Sequence, residues 1–437
     1  MPYGRSVRGR AAVTATVPGG CWPTADQVLL LRAALLGPDE AGDAWACWRR
    51  ANSLDEADRA SSRLFPLVYR NLPAEALDEQ DLSRLKGAYR AAWFRNQLMF
   101  GRAAEALRAV HDAGISTLLL KGIALSPAHY EDGGARPMED IDVLVPPGDA
   151  DRALSALTEA GWRRQPEKRD AVGLRTIHAQ HLLGPGGLNL DLHRYALEQL
   201  APDDRFWSAS VELELMGVPT RTLCPTDHLL HVLAHGGRWQ PVAPVRWLAD
   251  AFVIERSARD ELDWDRFVDE AVRRRVTARV SAALQHLVDA VGFPVAEDVL
   301  AALGRAPKSV LERWAQQAST RPVGGGNWLP LVLDDYVRRS RLDPSLRFGA
   351  FARDYFGTTS RLQLTTRAVR KAVAVATAQT MLRVSPRLVP RCVECGCVVV
   401  TLRPSGEGLC RGCAARPERA GQSRSSRKVA PGSGLNR

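Results

Sequence analysis

The chain has 437 residues, 45% of them hydrophobic and 25% charged, proportions of an ordinary globular protein with room for two or three domains of about 150 residues each. No apolar run approaches the ~18 residues of a membrane span, and five of the eight cysteines fall between Cys392 and Cys413, so a membrane-embedded chain and a secreted disulfide framework are both excluded as expectations and a cytoplasmic protein is predicted. Most of the formal charge of +10 sits at the ends, with eleven Lys or Arg against three Glu in residues 381–437 and Arg5, Arg8 and Arg10 at the start, which leaves the body close to neutral.

Residues 1–23 read as a disordered lead-in, because the apolar run after Arg10 is short and ends in Pro18-Gly19-Gly20. Thr24-Ala25-Asp26 then caps an apolar helical run that stops at Gly37-Pro38. The acidic turn Leu54-Asp55-Glu56 opens another helix, and Asp81 to Ala113 keeps helical spacing over a long stretch ending at Gly114. Residues 24–113 are therefore a helical region.

Ile115 to Leu120 is short and apolar between two glycines, which predicts the first strand. A helix over Ile123 to Tyr130 and a loop at Asp132-Gly133-Gly134-Ala135-Arg136-Pro137 follow. In the strand after it, Asp140-Ile141-Asp142-Val143-Leu144-Val145, period two sends both acids to one face and Ile141 to the other. Two carboxylates so close repel each other and raise at least one pKa unless a cation lies between them, so a divalent metal is the natural explanation of the pair. A helix from Gly148-Asp149 to about Ala160 leads to a strand pair at Leu174–Leu183 and Leu188–Tyr195, joined by Gly184-Pro185-Gly186-Gly187. In the second, Leu188, Leu190 and Leu192 face one way and Asn189, Asp191 and His193 the other, which brings in a third carboxylate.

From Thr226 onward the pattern is helical up to about Leu382. His228, His231 and His235 share one helical face, which is read as a packed and hydrogen-bonded surface and not as a ligand stripe, for want of a carboxylate or Cys in register. Arg246, Trp247 and Asp250 are expected to tie this helical region to the sheet. Beyond a linker, Cys392, Cys395, Cys410 and Cys413 form two Cys-x₂-Cys pairs fourteen residues apart, the spacing of a structural Zn²⁺ site, with Cys397 as a further thiol. The domains predicted are thus 24–113 helical, 114–200 a sheet core, 201–383 helical, 384–415 a zinc-ribbon-like module and 416–437 a basic disordered tail. Through Lys and Arg, the tail and module suit a nucleic-acid backbone or an acidic protein partner, and no membrane.

The wording Leu118-Leu119-Leu120-Lys121-Gly122, Arg136-Pro137-Met138-Glu139-Asp140-Ile141-Asp142, Asp191-Leu192-His193-Arg194 and Arg246-Trp247-Leu248-Ala249-Asp250 resembles the nucleotidyltransferase superfamily that includes DNA polymerase beta. Within it the likeness is to a bacterial branch of largely uncharacterised nucleotidyltransferases, over roughly residues 25 to 290. The resemblance implies an α+β fold, a small mixed sheet flanked by N- and C-terminal helical regions, with the zinc module appended. It implies Mg²⁺ held at a two-metal site by Asp140, Asp142 and Asp191, and an NTP whose phosphates reach Lys121, Gly122 and Arg136, with His193 a metal neighbour, an orienting group or a structural histidine. The implied reaction is transfer of an NMP to an unidentified acceptor, protein, small molecule or RNA. The rival reading from a different class is a non-catalytic adaptor that keeps the fold as a scaffold and binds partners through its zinc-bearing tail. The turn differs from the superfamily's usual Gly-Ser or Gly-Gly, since Lys precedes a single Gly and Ile123 follows it.

Overall fold

The structure, a computed structural model, describes residues 20–130, 132–165, 178–198, 201–240, 245–320 and 328–356. The zinc-ribbon cysteines Cys392, Cys395, Cys410 and Cys413, the basic tail and nearly all of the N-terminal lead-in lie outside these residues.

The N-terminal helices are α1 (Ala25–Leu35), α2 (Pro38–Ala51), α3 (Arg59–Ser62), α4 (Phe65–Asn71) and α5 (Glu79–Asp112). Local chemistry sets their starts. Thr24 and Gln27 form a reciprocal capping box on α1, Pro38 opens α2, and the Asp58 and Asp78 side chains accept backbone N–H groups at the starts of α3 and α5. Strand β1 (Leu118–Leu120) runs directly into α6 (Lys121–His129), and β2 (Asp140–Leu144) precedes α7 (Ala150–Glu159). The sheet continues with β3 (Arg163–Arg164), β4 (Ala179–Leu183) and β5 (Asn189–His193).

After α8 (Asp204–Ser208), the chain makes a hairpin, β6 (Val211–Leu215) and β7 (Val218–Thr222). It then folds into α9 (Pro225–Gly236), α10 (Arg246–Ala258), α11 (Trp264–Arg273), α12 (Thr277–Val291), α13 (Glu297–Arg305), α14 (Val310–Ser319), α15 (Trp328–Leu342) and α16 (Phe348–Phe356). No helix among the described residues is long and apolar enough to cross a membrane.

The seven strands among the described residues form one mixed sheet in the order β3-β4-β5-β2-β1-β7-β6. The expected α+β architecture is what the chain adopts, a mixed sheet between helical regions. Its sheet does not end at residue 200, however, because β7 pairs in parallel with β1 and carries β6 with it. The signal for that hairpin is the alternation of Val211-Glu212-Leu213-Glu214-Leu215 up to Met216-Gly217, both of which take positive φ, as a two-residue hairpin turn requires. β1 is also shorter than predicted, and α6 begins two residues earlier, at Lys121.

The two faces of the sheet enter different cores. Leu119, Ile141, Val143, Leu182, Leu190 and Leu192 pack with residues of α5 and α7, including Leu107, Ala153 and Leu157. Leu118, Leu120 and Leu144, on the opposite face, join the large core formed with α1, α9, α10 and α12. Each such leucine, fully withdrawn from water, contributes about 1.5–3 kcal/mol before entropy is counted. The second face is the one that also carries the carboxylates, so the helical region covers the apolar end of a surface whose other end is acidic.

The histidine face of α9 is packed and bonded as expected. His228 lies 2.8 Å from His129 Nε2 and 2.9 Å from Thr222 Oγ1, and His231 Nε2 donates to the Ala196 carbonyl at 3.0 Å. Burial pushes His129 down from 6.5 to about 4 and His231 from 6.5 to about 3. Their depressed folded-state values mean that the unfolded chain takes up these protons first, below about pH 6.5, so stability falls as pH drops from there toward the folded value. Relative to a His231→Asn variant, the wild type should lose up to about 1.4 kcal/mol per pH unit between pH 6 and 4. Urea midpoints of both proteins across that range measure it, and parallel pH profiles would contradict it.

Candidate active site

Strand register assembles the site. β2 and β5 run in parallel with Asp140 opposite Asn189, Asp142 opposite Asp191 and Leu144 opposite His193. Antiparallel pairing of β1 with β2 puts Leu120 beside Asp142, and that of β4 with β5 puts His181 beside Asp191. Residues directly opposite in a ladder share a face, so one transverse row reads Leu120, Asp142, Asp191, His181, with Lys121 following at the end of β1.

Asp142 is fully buried, and its Oδ1 accepts from Lys121 Nζ at 2.5 Å and from His193 Nε2 at 2.8 Å. Burial opposes its ionisation, but the Lys121 ammonium and His193 outweigh burial and hold the carboxyl far below the usual range. Reciprocally, burial disfavours the Lys121 charge, while Asp142, Asp140 and Asp191 together raise its pKa above the ordinary lysine value. Lys121 reaches this position from a left-handed backbone, with φ at +50°. That conformation is uncommon for a residue with a side chain and concentrates at functional sites.

Asp140 lies on the same face, half-buried, and its carboxylate makes no hydrogen bond or ion pair among the described residues. Burial and the neighbouring Asp142 charge raise its pKa, which is the repulsion expected of two acids on one strand. Asp191 accepts from His181 Nδ1 at 2.5 Å. Each of the two central acids is thus oriented by a histidine. His193 was anticipated as a neighbour of the acids, whereas His181 was not. Its signal was the alternation of β4, which sets Ala179, His181 and Leu183 against β5.

The donor set suits a divalent cation. One oxygen each of Asp142 and Asp191 and a ring nitrogen of His193 lie within 4.8 Å of one another. Asp142 Oδ2 is buried without a hydrogen-bond partner among the described residues, and a buried carboxylate oxygen left bare is costly unless a cation takes it. Because His193 donates its Nε2 proton to Asp142 Oδ1, its natural part is to orient that acid, which leaves carboxylate oxygens toward the cation, the donors Mg²⁺ prefers.

Of the residues expected at the phosphates, Arg136 is engaged by a carboxylate and covers Gly122. Arg136 is 5% exposed and donates from Nε and Nη2 to the two oxygens of Asp250 at 2.7 and 2.8 Å. Gly122 is buried beneath it, and a Cβ there would stand 2.4 Å from Arg136 Nη1 and 3.1 Å from Met138 Cγ. The passage of the arginine is by itself a reason for glycine at this position. Asp250 and Arg246 tie α10 to the segment between α6 and β2, where Asp250 also accepts from Tyr130 at 2.8 Å and Arg246 donates to the Pro137 carbonyl, while Trp247 packs in the large helical core.

A family model described as an uncharacterised nucleotidyltransferase matches residues 59–292. No curated protein is similar enough to match. Among solved structures, the antibiotic-resistance factor ANT(2'')-Ia is 18% identical over 44% of this chain and 97% of its own, at a TM-score of 0.30. An antigenic nucleotidyltransferase-like protein from Paracoccidioides brasiliensis is 17% identical over 48% of this chain and 94% of its own, at a TM-score of 0.32. The family match covers more than half of the chain, and it takes in every strand of the sheet and all three acids, so the protein belongs to this family of uncharacterised nucleotidyltransferases.

Proposed function

We propose that the chain transfers a nucleoside monophosphate from an NTP to an acceptor nucleophile, with Asp140, Asp142 and Asp191 as the Mg²⁺-binding carboxylates. Family membership carries nucleotidyl transfer, NTP use and divalent metal use at the coarse level. What supports the finer reading is one observation, the register that sets Asp142 beside Asp191 while leaving Asp142 Oδ2 buried and bare.

The acceptor oxygen attacks the α-phosphorus in line, the new P–O bond forming as the bond to the bridging oxygen breaks and pyrophosphate leaves. Asp140, Asp142 and Asp191 would hold divalent cations, which would supply stabilisation of the charge on the attacking and leaving oxygens. Asp191 takes the acceptor's proton, and His181, hydrogen-bonded to it and largely exposed, offers that proton a way to solvent. His193 fixes the orientation of Asp142. Lys121, ion-paired with Asp142, is placed to offset the negative charge that develops on the leaving pyrophosphate. Arg136, occupied by Asp250, acts by positioning the Lys121-Gly122 turn. For the Cys392, Cys395, Cys410 and Cys413 cluster we keep a structural Zn²⁺ site, supported by its spacing alone. The basic tail beside it suits a nucleic-acid or acidic-protein partner, and the acceptor's chemistry is left open.

Calorimetry with each NTP, with and without Mg²⁺, tests this reading against the adaptor alternative. Binding of at least one NTP that requires the metal and disappears in Asp140→Asn, a variant expected to stay folded, is predicted. A chain that binds no NTP in a metal-dependent way is a scaffold.

A further inference from the structure

With Gly122 covered and Arg136 engaged by Asp250, the phosphates of an incoming nucleotide need other cations, and a group of arginines stands beside Asp140. Arg59 and Arg63, at α3, converge on Glu139, the residue before Asp140: Arg59 Nη2 donates to Oε1 at 2.5 Å and Arg63 Nη2 to Oε2. Arg246, the first residue of α10, spends one N–H on the carbonyl of Pro137, two residues before Glu139. Arg63 Nε is buried with no acceptor among the described residues.

The pairing on this side of the site is uneven. Arg136 has Asp250, whereas Arg59 and Arg63 share the single carboxylate of Glu139 and Arg246 is held by a backbone carbonyl. The crowding is felt: burial, together with Arg246 and Arg59, pushes Arg63 down to about 9, and burial and Arg136 lower Arg246. Cations crowded at that cost, with a donor left bare, suit an anion richer in oxygen than one carboxylate. Guanidinium forks match phosphate oxygens in pairs.

We infer that Arg63 and Arg246, backed by Arg59, grip the β- and γ-phosphates of the nucleoside triphosphate, and that Glu139 holds Arg59 and Arg63 in place until the phosphates displace it. This rests on the nucleotidyl-transfer reading above. It explains how the N-terminal helices, remote in sequence from the carboxylates, come to serve the site. It also makes the arrangement selective for the triphosphate over products that lack the terminal phosphates.

The test compares binding of the mono-, di- and triphosphate of whichever base the wild type binds best, in Mg²⁺, by calorimetry on the full chain. Arg63→Gln and Arg246→Gln should each weaken the triphosphate by about tenfold to a hundredfold, the range for lost charge-assisted hydrogen bonds, and leave the monophosphate unchanged. Glu139→Gln, which frees the arginines, should tighten the triphosphate. Arg63→Lys, which keeps the charge and loses the fork, should fall between and guards against a variant that merely misfolds. Wild-type triphosphate affinity in Arg63→Gln, or equal weakening of mono- and triphosphate, overturns the inference while leaving the metal-dependent reading standing. A wild type that binds no nucleotide overturns both.

Discussion

Asp140→Asn and Asp142→Asn should both abolish nucleotidyl transfer, by on the order of 10³-fold or more, and yet differ sharply in stability. Asp142 is fully buried and serves as counter-ion to a largely buried ammonium, so its neutralisation leaves Lys121 without a full charge partner. Breaking one half of a buried ion pair costs about 3–5 kcal/mol. Asp140 has no such duty among the described residues, and its carboxylate is raised by burial and by Asp142, so removing its charge relieves repulsion. Asp140→Asn should unfold at or slightly above the wild-type urea midpoint while its transfer is lost. That separation matters, because a variant that loses activity by unfolding says nothing about chemistry. A tenth or more of wild-type transfer in Asp140→Asn would remove that acid from the site.

The second large effect is expected far from the acids in sequence. Asp250 is 4% exposed and accepts two hydrogen bonds from Arg136 and one from Tyr130. Asp250→Ala strands a buried guanidinium and should cost about 3–5 kcal/mol, a large part of the 5–15 kcal/mol by which such domains are stable. Asp250→Asn keeps an acceptor for Tyr130 and should cost less. Since Arg136 fills the space over Gly122, loosening it also frees the turn that presents Lys121, and NTP affinity should fall along with stability. Thermal unfolding of the two variants checks this. An unchanged midpoint in Asp250→Ala would show that the pair is not what ties α10 to the loop before β2.

The acids were readable in the sequence because strand periodicity is a local property. Asp140 and Asp142 alternate with Ile141, and Asp191 with Leu190 and Leu192, so each carboxylate's face followed from its neighbours. That Asp142 and Asp191 would be direct ladder partners was not readable from spacing, since register depends on both strands at once. The partner of Arg136 lies 114 residues away on α10, and no local pattern distinguishes an arginine bound for a carboxylate from one bound for a phosphate. The same holds for Arg63, whose partner Glu139 lies immediately before β2. Gly122 carried a local signal, a glycine after a strand and before a helix, that two causes can produce, and packing against Arg136 is one of them. The β6–β7 hairpin was legible in its alternation and its Met216-Gly217 turn, but it was hidden by the strong helical pattern that starts at Thr226.

The central claim is transfer at the α-phosphate, and the most direct measurement offers the chain one NTP labelled on the α-phosphate and the same NTP labelled on the γ-phosphate, with a lysate as source of acceptor. The account predicts that α-label enters an acceptor, that γ-label appears only in released pyrophosphate, and that both signals vanish in Asp140→Asn. Transfer of the γ-label to an acceptor, or transfer of α-label that persists in Asp140→Asn, would contradict it.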